Sequence, residues 1–152
     1  HPDVISGNRI GAINLKDIKK YSDIYINNGN IVDLISKVNE VHTMTSLVGF
    51  EALMQNKIVV TYGMPFYAGW GLTKDNIKSE RRKRNLSIED LVSGVLILYP
   101  RYIDPNTFKY CSPEIVVDSL YKRRDDFEKN YIVKFVRLFN NFLIRKLIKL
   151  FR

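Results

Sequence analysis

The chain has 152 residues, 45% hydrophobic and 26% charged, the size and composition of one folded domain, which excludes a disordered or fibrous protein. A single cysteine, Cys111, excludes an internal disulfide and, with only His1 and His42 as histidines, leaves no makings of a metal cluster; no metal or cofactor is expected, and Cys111 reads as a buried or half-buried thiol in a reducing cytoplasm. The formal net charge is +8, but six of those charges lie in residues 131–152, which hold no acidic residue. Such local basicity argues against a domain-wide nucleic-acid face.

Residues 1–14 are rich in Gly, Asn and Ser and read as a loop leaving a strand that is not in the chain. The first residue is His1 rather than Met, with no charged and apolar leader after it, so the expectation is a fragment or trimmed product without a signal peptide. Residues 31–37 predict a short amphipathic helix with Ile31, Leu34 and Ile35 on one side. Residues 41–44 predict a buried parallel strand, the hydroxyl turn Thr45-Ser46 opens a helix through about Gln55, and the apolar run Ile58-Val59-Val60 predicts a second strand buried on both faces. Together these form a βαβ unit.

Downstream, residues 63–71 place three glycines and the aromatics Phe66, Tyr67 and Trp70 in one loop, and residues 78–84 read as a solvated basic connector. Ser87 and Asp90 mark a weak capping box before a helix through about Tyr99, which Pro100 stops. The segment 99–105 reads as an ordered turn in which Arg101 is offered to a carboxylate. Ser112-Pro113-Glu114 supplies a cap, a proline at the first helical position and an acid in the first turn, predicting a helix to about Glu128. From Tyr131 an apolar stripe (Ile132, Phe135, Phe139, Phe142, Leu143, Leu147) and a basic stripe (Lys134, Arg137, Arg145, Lys149, Arg152) predict a basic amphipathic helix. The domain reading is therefore 1–130 for an α/β domain and 131–152 for that helix.

The chemistry readable in this pattern is nucleotide binding. A turn feeding Thr45 and Ser46 into a helix start offers hydroxyls, backbone amides and a helix dipole to a phosphate. Glu51, about one and a half turns into that helix, is placed to accept ribose hydroxyls. His1, if it ends the preceding strand, shares the carboxyl edge of the sheet where ligands of open α/β sheets bind. The bland alternatives are helix capping for Thr45 and Ser46, an incidental terminus for His1, and a rigid packed loop for Phe66, Tyr67 and Trp70 in place of aromatic walls around a sugar or base. No Ser-His-Asp set, CxxC pair, P-loop or HExxH motif is present, so hydrolase, redox, P-loop and zinc-protease readings have no support.

These residues also carry a resemblance. His1-Pro2-Asp3-Val4 with Ser6-Gly7-Asn8-Arg9, the stretch from His42 to Leu53, Pro65-Phe66-Tyr67-Ala68-Gly69-Trp70-Gly71-Leu72-Thr73, and Leu98-Tyr99-Pro100-Arg101-Tyr102 with Asp104-Pro105 look like the bacterial capsule polysaccharide biosynthesis and export family, and within it the β-Kdo glycosyltransferases. The resemblance covers about residues 1–120. It implies the Rossmann-like, donor-binding C-terminal half of a GT-B glycosyltransferase that uses CMP-Kdo to build an oligo-Kdo linker on a phosphatidylglycerol lipid. It also implies a cytoplasmic enzyme, peripheral on the inner membrane, whose partners are a nucleotide sugar, a lipid-linked Kdo acceptor and other capsule assembly proteins or a separate N-terminal half. By that resemblance His1 and Pro2 meet the donor phosphate, Thr45 and Ser46 form the hydroxyl turn beside it, and Glu51 holds the ribose. Family members are far longer, which implies that this chain alone is inactive. Two other readings stand beside it: a non-catalytic, membrane-docked module of the capsule assembly complex, and nucleic-acid binding through the basic tail, which leaves the nucleotide motif without a role.

Overall fold

The computed structural model describes residues 13–26 and 28–129. His1, Pro2 and the predicted helix of residues 131–152 lie outside the described residues. The chain divides into two compact units, residues 1–91 and 92–152.

The first unit is α/β. After α1 (Leu15–Tyr21) and α2 (Ile31–Ser36), strand β1 (Glu40–Thr43) leads through α3 (Val48–Met54) to β2 (Ile58–Thr61), and a glycine-aromatic crossover leads to β3 (Lys74–Asp75). The strands are parallel in the order β1-β2-β3, with His42 opposite Val60 and Val60 opposite Lys74. Parallel neighbours need a crossover long enough to return the chain to the same end, and α3 supplies it for the first pair. The predicted βαβ unit is thus present.

β2 is the central strand, and its sequence explains why: Val59, Val60 and Thr61 are buried, Val59 at 1% and Thr61 at 0% exposure. Thr61 is tolerated there because its hydroxyl donates to Asp75 Oδ1 at 2.7 Å and its carbonyl accepts the Asn76 side-chain amide at 3.0 Å, so no buried polar atom of the residue is left over. Phe50, Ala52 and Leu53 of α3 complete the core with Ile35 of α2, each large apolar side chain contributing on the order of 1.5–3 kcal/mol of burial free energy.

Three expectations need correction here. β1 is half-buried rather than buried, with His42 exposed, because among the described residues it is an edge strand paired only to β2. The helix α3 starts at Val48, not at the hydroxyl turn, so Glu51 sits in its first turn. Ile58 is exposed on one face, so the β2 run is not covered throughout. The segment α1 spaces Leu15, Ile18 and Tyr21 three apart but buries no side chain; its start is fixed by Asn14, whose side chain accepts the Lys16 amide at 3.0 Å.

Before the second unit, α4 (Ile88–Val92) opens on the expected capping box: the Asp90 carboxylate accepts the Ser87 amide at 3.0 Å and the Ser87 hydroxyl accepts the Asp90 amide at 3.1 Å. The helix then widens into a π-helical stretch, Ser93–Leu98, and stops before Pro100 as expected. In place of a simple ordered turn, the second unit continues as an antiparallel hairpin, β4 (Tyr102–Ile103) with β5 (Tyr110–Cys111). Asp104 nucleates its loop by accepting the Asn106 amide and the Thr107 hydroxyl. Helix α5 (Pro113–Lys129) begins at the predicted proline, and the Ser112 hydroxyl bonds the Glu114 carboxylate and holds its pKa below the usual value.

Candidate nucleotide site

The carboxyl ends of β1 and β2 are tied together beyond the strands, the Tyr62 amide donating to Thr43 O at 2.9 Å and the Gly63 amide to Met44 O at 3.2 Å. Gly63 lets the chains come this close, since a Cβ there would lie 2.8 Å from the Met44 carbonyl oxygen. The hydroxyl turn leaves this edge. Thr45 is exposed and Ser46 half-buried.

The turn does not cap α3 in the expected way, because the N-cap position is Leu47, which has no side-chain cap bond. The Ser46 hydroxyl oxygen instead accepts the Val48 amide at 3.3 Å, while the Ser46 carbonyl accepts the Gly49 amide at 3.2 Å. The Ser46 amide itself donates to Thr43 Oγ1 at 3.2 Å. The backbone amides that sequence reading offered to a phosphate are thus largely engaged inside the chain, and the donors the turn presents are hydroxyls. Ser46 Oγ accepts a bond and retains its own proton to give.

Glu51 stands in the first turn of α3, among the buried Phe50, Ala52 and Leu53. Its Oε2 is shut off from solvent and has no hydrogen-bond partner among the described residues. A buried, unsatisfied carboxylate oxygen is costly and marks a place where a donor belongs.

The aromatics of the crossover loop separate into different jobs. Tyr67 is fully buried, so it is a packing residue and not a sugar wall; its ring clusters with Phe50 and Phe66, which also meet each other edge-on, and its hydroxyl donates to Ser46 O. Phe66 is 38% exposed, and Trp70 is half-buried with its indole N–H donating to Phe66 O at 2.8 Å. Two residues outside the predicted set hold this loop. Asp75 accepts the Thr61 and Thr73 hydroxyls on Oδ1 and the Gly69 amide on Oδ2 at 2.7 Å. Arg82, read from sequence as part of a solvated connector, donates to the Pro65 and Ala68 carbonyls at 2.6 and 2.7 Å and stacks over Trp70. The run of four basic residues hides this role, because nothing in it singles out the one that turns inward.

Arg101 belongs to the second unit, where it lines an open cavity of about 340 Å³ with Ile97, Pro100, Tyr102, Tyr110, Cys111 and Pro113. A second cavity, about 320 Å³, lies by Lys57, Ile58 and Lys74 at the amino ends of β2 and β3, the opposite end of the sheet from the hydroxyl turn.

Residues 1–102 match the family described as capsule polysaccharide biosynthesis protein. The capsule polysaccharide modification protein LipA of Neisseria meningitidis serogroup A is 46% identical over 125 residues, 82% of this chain and 18% of LipA. The lipopolysaccharide-processing protein LpsZ of Rhizobium meliloti is 43% identical over 102 residues, 67% of this chain and 23% of LpsZ. The chain therefore spans about a fifth of the length of these relatives. Among solved structures, the β-Kdo 2,7 transferase of Thermosulfurimonas dismutans KpsC superposes with a TM-score of 0.70 at 40% identity, covering 82% of this chain and 39% of that one. The β-Kdo 2,4 transferase of the same protein gives 0.66 at 40% identity, covering 79% and 37%. With the match covering residues 1–102, the parallel βαβ unit among them, the chain belongs to the capsule polysaccharide biosynthesis protein family.

Proposed function

We propose that this chain is the donor-binding part of a capsule β-Kdo transferase, the Rossmann-like C-terminal half of a GT-B enzyme that takes CMP-Kdo and extends a Kdo linker on a phosphatidylglycerol lipid. The 40% identity to two solved β-Kdo transferases supports the reaction class. The observation that carries the site is the solvent-shielded Glu51 oxygen without a donor among the described residues, in the first turn of the helix that the Thr45-Ser46 hydroxyls precede. A nucleotide monophosphate satisfies both groups: its ribose hydroxyls donate to Glu51, and its phosphate accepts from Thr45 and Ser46. Transfer breaks the bond between the sugar's anomeric carbon and a CMP phosphate oxygen. Hydroxyls fixed at that phosphate stabilise the negative charge growing on the leaving group, as His1 does by family resemblance. The acceptor hydroxyl loses its proton as the new glycosidic bond forms.

The same reading puts the protein in the cytoplasm against the inner membrane, with the basic residues 131–152 toward anionic lipid. Calorimetric titration of the chain with CMP tests the site. Binding is expected, and Glu51→Ala should weaken it by about tenfold or more, the worth of a hydrogen bond to a charged group. A folded Glu51→Ala variant with parental affinity, or a parent that does not bind CMP, overturns the assignment.

A further inference from the structure

Two hydrogen bonds clamp the Ser46 peptide from either side. Its N–H donates to Thr43 Oγ1 at 3.2 Å, and its carbonyl accepts from the Tyr67 hydroxyl. Thr43 at the end of β1 and Tyr67 in the glycine-aromatic loop thus hold that peptide between them. The Tyr67 ring cannot drift, because it is fully buried, meets Phe66 edge-on at 5.1 Å, and lies so close to Gly49 that a Cβ there would be 2.6 Å from its Cζ. Its loop is held from the other side by Asp75 on the Gly69 amide and Arg82 on the Pro65 and Ala68 carbonyls.

We propose that Tyr67, with Thr43, is a positioning residue for the hydroxyl turn: their two bonds set the Ser46 peptide, and through it the direction in which the Ser46 hydroxyl faces an anionic ligand. The glycine-aromatic loop thus serves the nucleotide site from behind, by buttressing the turn. This rests on the donor-site reading for the ligand and on the two hydrogen bonds alone for the turn.

The test uses the 152-residue chain with Tyr67→Phe and with Thr43→Val. Both substitutions keep shape and remove one hydroxyl. CMP affinity should fall about three- to tenfold in either variant. Amide hydrogen exchange should accelerate at Ser46 in both, while Val60 on β2 keeps its parental protection. Parental CMP affinity in a folded Tyr67→Phe chain overturns the proposal. Should the parent not bind CMP, the donor-site reading falls; Ser46 exchange then decides, faster exchange in both variants supporting the clamp and parental exchange overturning it.

Discussion

At Glu51 a carboxylate is kept in an apolar helix turn with one oxygen cut off from water and from any donor among the described residues. Leaving such an acceptor unpaired costs about 1–3 kcal/mol, which the chain recovers only when something donates to it. Glu51→Gln keeps the shape and removes the charge, so stability should not fall, whereas CMP affinity should drop by about 1 kcal/mol, roughly fivefold, as a charged acceptor becomes a neutral one. Melting and calorimetry on the same sample check this; a lower melting temperature with unchanged affinity would make Glu51 part of the scaffold. Tyr67 offers a second handle at this scale. Burial pushes its phenol above the ordinary 10.0, a shift the Thr43 hydroxyl partly offsets. The folded chain therefore holds that proton more tightly than the unfolded one, so the contribution is intact below pH 10.0 and is lost as pH rises through the raised folded value. Alkaline melting curves should fall more steeply for the parent than for Tyr67→Phe, and parallel curves above that pH would contradict the burial argument.

Among the elements, two glycines set opposite expectations. Gly49 in α3 faces the Tyr67 ring with no room for a methyl group, whereas a Cβ at Gly94, in the π-helical stretch, meets nothing within 4 Å. Gly49→Ala should destabilise by about 1–3 kcal/mol through overpacking, and Gly94→Ala should stabilise by roughly 0.5–1 kcal/mol through backbone entropy. Urea melts of the two variants are the measurement, and equal effects would mean that α3 shifts away from the loop. The contrast also shows what a sequence exposes. Signals contained within a few residues were readable: the apolar run at Ile58-Val59-Val60, the reciprocal cap of Ser87 and Asp90, and Ser112-Pro113 at the start of α5. Partnerships spanning long stretches of chain were not. Arg82 looks like its three basic neighbours, yet it holds carbonyls 14 and 17 residues away; Asp75 looks like any acid after a lysine, yet it gathers Thr61, Gly69 and Thr73. The Thr45-Ser46 turn was visible as a hydroxyl pair, but its amides find acceptors through Thr43 and the turn itself, which composition cannot reveal.

At the scale of the molecule, the unit boundary follows Leu91, where the α-helix gives way to the wider π turns. The chain covers under two fifths of either solved β-Kdo transferase. Under the donor-half reading it stabilises the leaving nucleotide but lacks the groups that must flank the sugar on its other side, since proton transfer and charge stabilisation act on both partners of the reaction. Incubated with CMP-Kdo and a Kdo-terminated lipid acceptor, it should give no transfer product; turnover by the chain alone would refute the division of labour. Its association with lipid is a separate matter. No helix among the described residues is long and apolar enough to cross a membrane, and residues 131–152 never reach the roughly 18 uninterrupted apolar residues a span requires. They do hold Lys134, Arg137, Arg145, Lys146, Lys149 and Arg152 without an acid, interleaved with Phe135, Phe139 and Phe142. Each cation near an anionic leaflet is worth about 1 kcal/mol, and the aromatics add apolar area at headgroup depth. The chain should therefore co-sediment with phosphatidylglycerol vesicles at low salt, detach as salt rises past the range where the screening length falls to about 8 Å, and lose binding when residues 131–152 are deleted. Binding that is equal on neutral and anionic vesicles would replace the electrostatic account with a purely apolar one, and a tail deletion that binds as well as the parent would move the contact elsewhere in the chain.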